Sequence, residues 1–464
     1  MQRTSDGCRW LSFLIAIGLS GCQFPAITVP ELASVPSPLA NSPAAQPSPS
    51  PASPPVVIKP TPTKASQAVA AKPVPTKPTK AVVKPVARRA IARRPFIPPN
   101  LLVVGGGGDP SYNEISLEKN VLYFQRTLKA LGLKPSSATV LFANGNDGQQ
   151  TVRFLKSGMI ESFKAPMIPY LKAASTRDNV EAWVQKLVRQ KSRAPTFLYF
   201  TGHGGHSQDY ENNDFRLWGG DALTVQEFTA LLDRLPTQTP VVTVMAQCYS
   251  GGFANMIYQG GYAKRSVVPH NRCGFFATLK QYTSVGCTPA VNEADYEDYS
   301  SSFFAGLSGR NRTGKSIGSA DYNRDRQVSF AEAHAFAKVD EKSTDIPIST
   351  VENWLFDQVS DKEWDAILDY PIATILRFGR PDQRYVVTSL AKRLNFDQKL
   401  SYTKNYNLIA INESDEEEST LSTRLAMELV HIQKEHQIRL SKQRQKLAVM
   451  NRLQKCEAGS IGRP

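Results

Sequence analysis

Between Phe24 and Phe96 the chain has no aromatic residue, and across residues 22–98 its single acid is Glu31. A stretch built from Pro, Ala, Ser, Thr and Lys without aromatics cannot bury a core. That excludes a folded domain there and favours extended polyproline II. The shortage of acid also explains the basic balance. Ten Lys and Arg from Lys59 to Arg94, against Glu31, supply nine of the fourteen excess positive charges. The charge therefore belongs mostly to a solvated tether, and no specific nucleic-acid partner is expected from it. A membrane-spanning run is missing from the N-terminus as well: the apolar stretch Trp10 to Leu19 is too short to cross a bilayer. The glycine run Gly105-Gly106-Gly107-Gly108 is not followed by Gly-Lys-Ser/Thr and lacks the G-x-G-x-x-G spacing, so a nucleotide site is not expected.

What is present at the N-terminus is a targeting pattern. Arg3 and Arg9 precede the apolar stretch, which ends Leu19-Ser20-Gly21-Cys22. This resembles a bacterial lipoprotein box, which implies that residues 1–21 are a signal peptide and that Cys22 is acylated. An ordinary signal peptide is the alternative. Gln23, where an Asp would mark retention, is similar to the pattern of lipoproteins sent to an outer membrane. The expectation is a protein anchored in the cell envelope by lipid and facing away from the cytoplasm. Residues 22–98 would then tether the folded part; about 75 residues at roughly 3.1 Å each give a long reach.

The folded part is organised around two stretches 45 residues apart. One is Phe197-Leu198-Tyr199-Phe200-Thr201-Gly202-His203-Gly204-Gly205. The other is Val241-Val242-Thr243-Val244-Met245-Ala246-Gln247-Cys248-Tyr249-Ser250-Gly251-Gly252. Each is an apolar run with the composition of a strand buried on both faces. Each ends in a reactive side chain followed by glycines. Sites in open α/β sheets form beyond the carboxyl ends of the strands. Parallel neighbouring strands would therefore bring a thiol and an imidazole to one edge. A free thiol near pKa ~8.5 is largely protonated at neutral pH, and a nearby imidazole can take its proton. Backbone N–H groups of Gly204 and Cys248 suit a developing oxyanion.

These residues resemble the caspase-like cysteine peptidases: caspases, metacaspases, legumains and gingipains. In those families a strand ends in His-Gly and a later strand ends in the nucleophilic Cys. Cys248-Tyr249-Ser250-Gly251 is similar to the Cys-x-Ser-Gly of legumains and many bacterial members, whereas Ala246-Gln247-Cys248 departs from the Gln-Ala-Cys order of animal caspases. The resemblance covers roughly residues 100–345. It implies an α/β, caspase-like sandwich with a mainly parallel central sheet and helices on both faces. It also implies an endopeptidase acting on protein or peptide substrates, with Cys248 as nucleophile and His203 as base. His206 is the rival histidine, three residues beyond the strand end.

A second motif runs from Asp321 to Glu332. Asp321, Asn323, Asp325, the Gln327 carbonyl and Glu332 fit the positions of a calcium-binding loop. Arg326 stands where such loops carry Gly, and no paired second loop is visible. A Ca2+ site, structural or regulatory, is the expectation; an Asx-rich turn capping the next helix is the alternative. Cys273 and Cys287 are spaced to close a small disulfide loop, which would leave Cys456 as an additional free thiol. The division expected is a peptidase domain at 99–345 carrying the calcium-type loop. Residues 346–410 would complete it or form a small extra domain. Residues 411–464 read as a charged helical tail, with acids at its start and Lys/Arg towards its end. Two other functions fit the same residues: a catalytically inactive surface scaffold of this fold, and a legumain-like transpeptidase.

Overall fold

The computed structural model describes residues 97–461. It is a mixed α/β structure with a mostly parallel central sheet and a C-terminal helical region. Seven strands form the sheet: β1 Asn100–Gly106, β2 Ala138–Phe142, β3 Leu171–Ala173, β4 Thr196–Gly202, β5 Val241–Met245, β6 Arg272–Phe276 and β7 Ile348–Ser349. Their spatial order is β7-β6-β5-β4-β1-β2-β3, and the β6–β7 pair alone is antiparallel. The chain crosses between the parallel neighbours β1 and β2 through α1 Ile115–Ala130 and between β4 and β5 through α3 Val225–Asp233, while α2 Arg177–Arg189 carries it from the edge strand β3 back to β4.

Alternation along the strands builds two cores. Leu101 and Val103 face one layer with Val121, Phe124 and Leu128 of α1, joined by α4 Tyr299–Ser308 and α5 Phe330–Asp340. Leu102 and Val104 face the other, with Val180 and Val184 of α2 and Phe228 and Leu232 of α3. Strands wetted on neither face need an apolar residue at every position, which is why β1, β4 and β5 read as continuous apolar runs. Thr224 caps α3 in a capping box with Glu227. Ser116 does not cap α1. Glu114 holds the N-cap position, and the Ser116 hydroxyl instead accepts the Thr288 N–H at 2.9 Å.

The tail is not one helix. It breaks at Ser441–Gln443 into α6 Glu416–Leu440 and α7 Arg444–Glu457. Leu421, Leu425 and Leu429 of α6 pack with Val386, Val387 and Leu390 of the helix Pro381–Arg393 in a third core. Met450 and Leu453 of α7 enter the second core, so the last helix belongs to the sheet layer. The disulfide joins Cys273 of β6 to Cys456 of α7 with Cα atoms 6.0 Å apart, which corrects the pairing of Cys273 with Cys287. Cys287 lies outside the disulfide. The short Cys273–Cys287 spacing favoured local closure, but Cys273 lies inside the strand, fully buried, where α7 covers it.

Candidate active site

Strands β4 and β5 are hydrogen-bonded neighbours in register, Val241 opposite Thr196 and Met245 opposite Phe200. His203 follows Phe200 by three residues and Cys248 follows Met245 by three. The two therefore leave the same carboxyl edge of the sheet at matching depth. Gly204 packs on the backbone of Cys248; a Cβ there would lie 2.1 Å from the Cys248 carbonyl oxygen, so only glycine fits. The left-handed residue of the turn beyond Cys248 is Tyr249 (φ 59°), not one of the glycines that follow.

His203 is held by two acceptors. Its Nε2 lies 3.0 Å from Glu114 Oε2 and 3.0 Å from the Tyr112 carbonyl. Neither partner has a proton to give when Glu114 is ionised, so Nε2 carries the ring proton and Nδ1 holds the lone pair in the neutral imidazole. Glu114 is the partner of His203 that sequence pattern missed. Burial pushes its carboxyl up, but the hydrogen bond and charge of His203, with Arg153 2.7 Å from its other oxygen, outweigh this and hold it below the usual range. The glycine run after β1 acquires a purpose here. A Cβ on Gly107 would sit 1.9 Å from the Tyr112 carbonyl, so that glycine gives the carbonyl its place beside the imidazole.

Cys248 is buried, 8% exposed. The Ser284 N–H donates to Sγ at 3.3 Å and the thiol reaches the Ser284 carbonyl at 3.5 Å. The Tyr249 N–H donates to the Tyr282 carbonyl at 2.8 Å, so the segment after β6 runs beside Cys248. That segment is itself buttressed. The buried Asp345 carboxylate accepts the Ser284 hydroxyl at 2.7 Å and the Val285 N–H at 3.0 Å. Arg424 of α6 donates to the carbonyls of residues 338, 341, 343 and 345, fastening the same turn from the C-terminal region. On the other side, the His206 ring packs on Tyr210 and Tyr249, at centroid distances of 4.9 and 4.8 Å. Asn213 donates to the Tyr249 and Lys280 carbonyls at 3.0 and 2.9 Å. The acidic loop at residues 206–214 is therefore hooked onto the turn after Cys248, with Glu211 paired to Lys280.

The calcium-type loop lies away from this edge. Asp321 accepts the N–H groups of Asp325 and Arg326, at 3.0 and 2.9 Å, and Asn323 accepts Asp325 N–H at 2.8 Å. Arg326 adopts φ 74°, the left-handed conformation usually left to glycine. Glu332 forms a capping box with Ser329 and its other oxygen accepts the N–H groups of Tyr322 and Asn323, at 2.9 and 3.0 Å. The loop thus has the turn geometry of the motif, with its oxygens engaged by backbone donors. Among the described residues, the groups of three close His, Cys, Asp or Glu ligand atoms lie elsewhere: Glu114, His203 and Cys287, and Glu352, Glu428 and His431. Nothing here shows calcium. Cys22 lies outside the described residues, and no helix among them is long and apolar enough to cross a membrane.

Comparison with known proteins adds little. No protein-family model matches the chain. No curated protein matches it. A solved structure, that of protein GSU0716 from Geobacter sulfurreducens, is similar over 51% of this chain and 88% of its own, at 14% identity and a TM-score of 0.30. A likeness of that size carries no argument about fold or activity.

Proposed function

We propose that the chain is a caspase-like cysteine endopeptidase of the cell envelope, tethered through a lipidated Cys22. The reading is carried by one observation: the matched register of β4 and β5, which sends His203 and Cys248 from the same sheet edge. Glu114 adds the third member. With the Nε2 proton fixed by Glu114 and the Tyr112 carbonyl, Nδ1 accepts the Cys248 proton and the thiolate attacks the scissile carbonyl carbon. The N–H groups of Gly204 and Cys248 hold the oxyanion. The imidazolium then protonates the leaving amine. Water, deprotonated by the same ring, hydrolyses the thioester. Glu114 stabilises the imidazolium at both steps by its charge. A disulfide in the fold suits an oxidising compartment.

The burial of Cys248 beneath Ser284 favours a second reading, a non-catalytic scaffold of the same fold. Capture of the acyl-enzyme by an amine, in place of water, would make the protein a transpeptidase. The Asp321–Glu332 loop is offered as a Ca2+ site. Its carboxylate and amide oxygens keep a further lone pair beside each N–H bond, and that is where a cation would bind.

The test is the full-length protein, with and without Ca2+, on a pooled peptide library read by mass spectrometry beside Cys248→Ala and His203→Ala. Cleavage present in the wild type and lost in both variants supports the peptidase. Spliced products point to transpeptidation. No cleavage under any condition, with Cys248 no more reactive to iodoacetamide than Cys287, leaves the scaffold.

A further inference from the structure

Beside the dyad lies a group of residues that peptide hydrolysis does not use as a set. Glu114, His203 and Cys287 each turn one ligand atom inward, all within 4.8 Å of one another. Glu114 is buried, His203 nearly so, and Cys287 half-buried. The three come from separate parts of the chain: the turn before α1, the end of β4, and the segment after β6. The Nε2 of His203 is already 3.0 Å from Glu114 Oε2. The Cys287 thiol points at the same strand end, 3.9 Å from the Gly202 carbonyl. The Tyr112 carbonyl, 3.0 Å from Nε2, offers a fourth oxygen.

Thiolate, imidazole and carboxylate together are the donor set of Zn2+, which takes them at about 2.0–2.3 Å in a tetrahedron. Those bond lengths put neighbouring ligand atoms roughly 3.3–3.7 Å apart. From its 4.8 Å limit the trio reaches this by closing about 1.1–1.5 Å. Calcium and magnesium prefer all-oxygen shells and would not choose a thiol.

We propose that Glu114, His203 and Cys287 form an inhibitory zinc site that competes with the catalytic arrangement of His203. Zinc takes the Nε2 lone pair, so the single proton of the neutral ring shifts from Nε2 to Nδ1, and the Cys287 thiol gives its proton to solvent. Nδ1, the nitrogen that must be bare to receive the proton of Cys248, is then blocked. Zinc also occupies Glu114, which no longer steadies an imidazolium. The nucleophile itself is not a ligand. The inhibitory effect rests on the peptidase reading; the metal site does not.

The test separates the two. The full-length protein, kept under argon with its Cys273–Cys456 disulfide intact, is titrated with Co2+ and followed by the thiolate-to-cobalt charge-transfer band, then back-titrated with Zn2+. The band is expected in wild type and in Cys248→Ala, and absent in Cys287→Ser. Glu114→Gln should weaken binding by at least about tenfold, since even outer-shell losses cost that much. In the activity arm, Cys287→Ser should keep its peptide cleavage and need at least about tenfold more Zn2+ for half-inhibition. No band in the wild type, or a band lost in Cys248→Ala and kept in Cys287→Ser, overturns the proposal. If Cys287→Ser fails to fold, the Glu114→Gln and Cys248→Ala arms still decide it. A cobalt band without any peptidase activity would sink the peptidase reading and leave the metal site standing.

Discussion

Replacing Cys456 by Ser opens the bond between β6 and α7, and its cost can be worked from the chain. The two cysteines are 183 residues apart. Chain-entropy reasoning gives about 5 kcal/mol for a loop of that size, mostly by releasing the unfolded state. The local pairing of Cys273 with Cys287 would have closed a loop worth only about 3 kcal/mol. α7 and the residues after it have native contacts besides the disulfide, which the substitution should leave in place. Glu457 still accepts the Val351 N–H at 2.8 Å, and Gly459 still accepts Phe330 N–H at 2.9 Å. The variant should therefore fold and lose stability. Urea unfolding of wild type, with and without reductant, is compared with Cys456→Ser. The expected result is a loss of about 5 kcal/mol, equal in the reduced wild type and the variant, with no further effect of reductant on the variant. Non-reducing peptide mapping should join the Cys273 and Cys456 peptides. Full wild-type stability under reduction, or a Cys273–Cys287 peptide, would refute the argument.

Glu114→Gln should lower kcat of the proposed peptidase by roughly ten- to a thousandfold with little change in KM, because the tautomer is no longer fixed and the imidazolium loses its counter-charge. The acid limb of the pH–rate profile should move, which a purely structural defect would not cause. Asp345 gives a pH-dependence of stability. Burial pushes its carboxyl up to about 7, against the pull of Ser284, the Val285 N–H and Arg424. A carboxyl whose folded pKa is raised contributes stability that is complete below its ordinary value near 3.8 and is lost as pH rises towards about 7. Asp345→Asn should flatten the decline between those limits, as followed by urea midpoints. Calorimetric titration with Ca2+ should show heat that Asp321→Ala removes; no heat in the wild type would leave the loop as a helix-capping turn.

The mixed α/β class and the mostly parallel sheet were legible in the chain because strands buried on both faces must be apolar at every position, as in Phe197 to Thr201 and Val241 to Met245. His203 and Cys248 were legible because each is a reactive side chain closing such a run. The cap at Thr224 was legible for a related reason: a capping box is a contact within four residues, and sequence carries its partners side by side. Glu114 was not. It sits 89 residues from His203 in an unremarkable polar segment, and only the packing of α1 beside β4 makes it a partner. The partner of Cys273 was hidden in the same way, 183 residues on in a tail whose apolar stripe suits a packed helix without naming the strand it covers. The chain breaks at Ser441–Gln443 between α6, which packs on the third core, and α7, which carries Cys456 to β6. Local rules of periodicity and capping fix which residues are strands, helices and reactive ends. Which distant side chain answers them is decided by burial in the assembled fold.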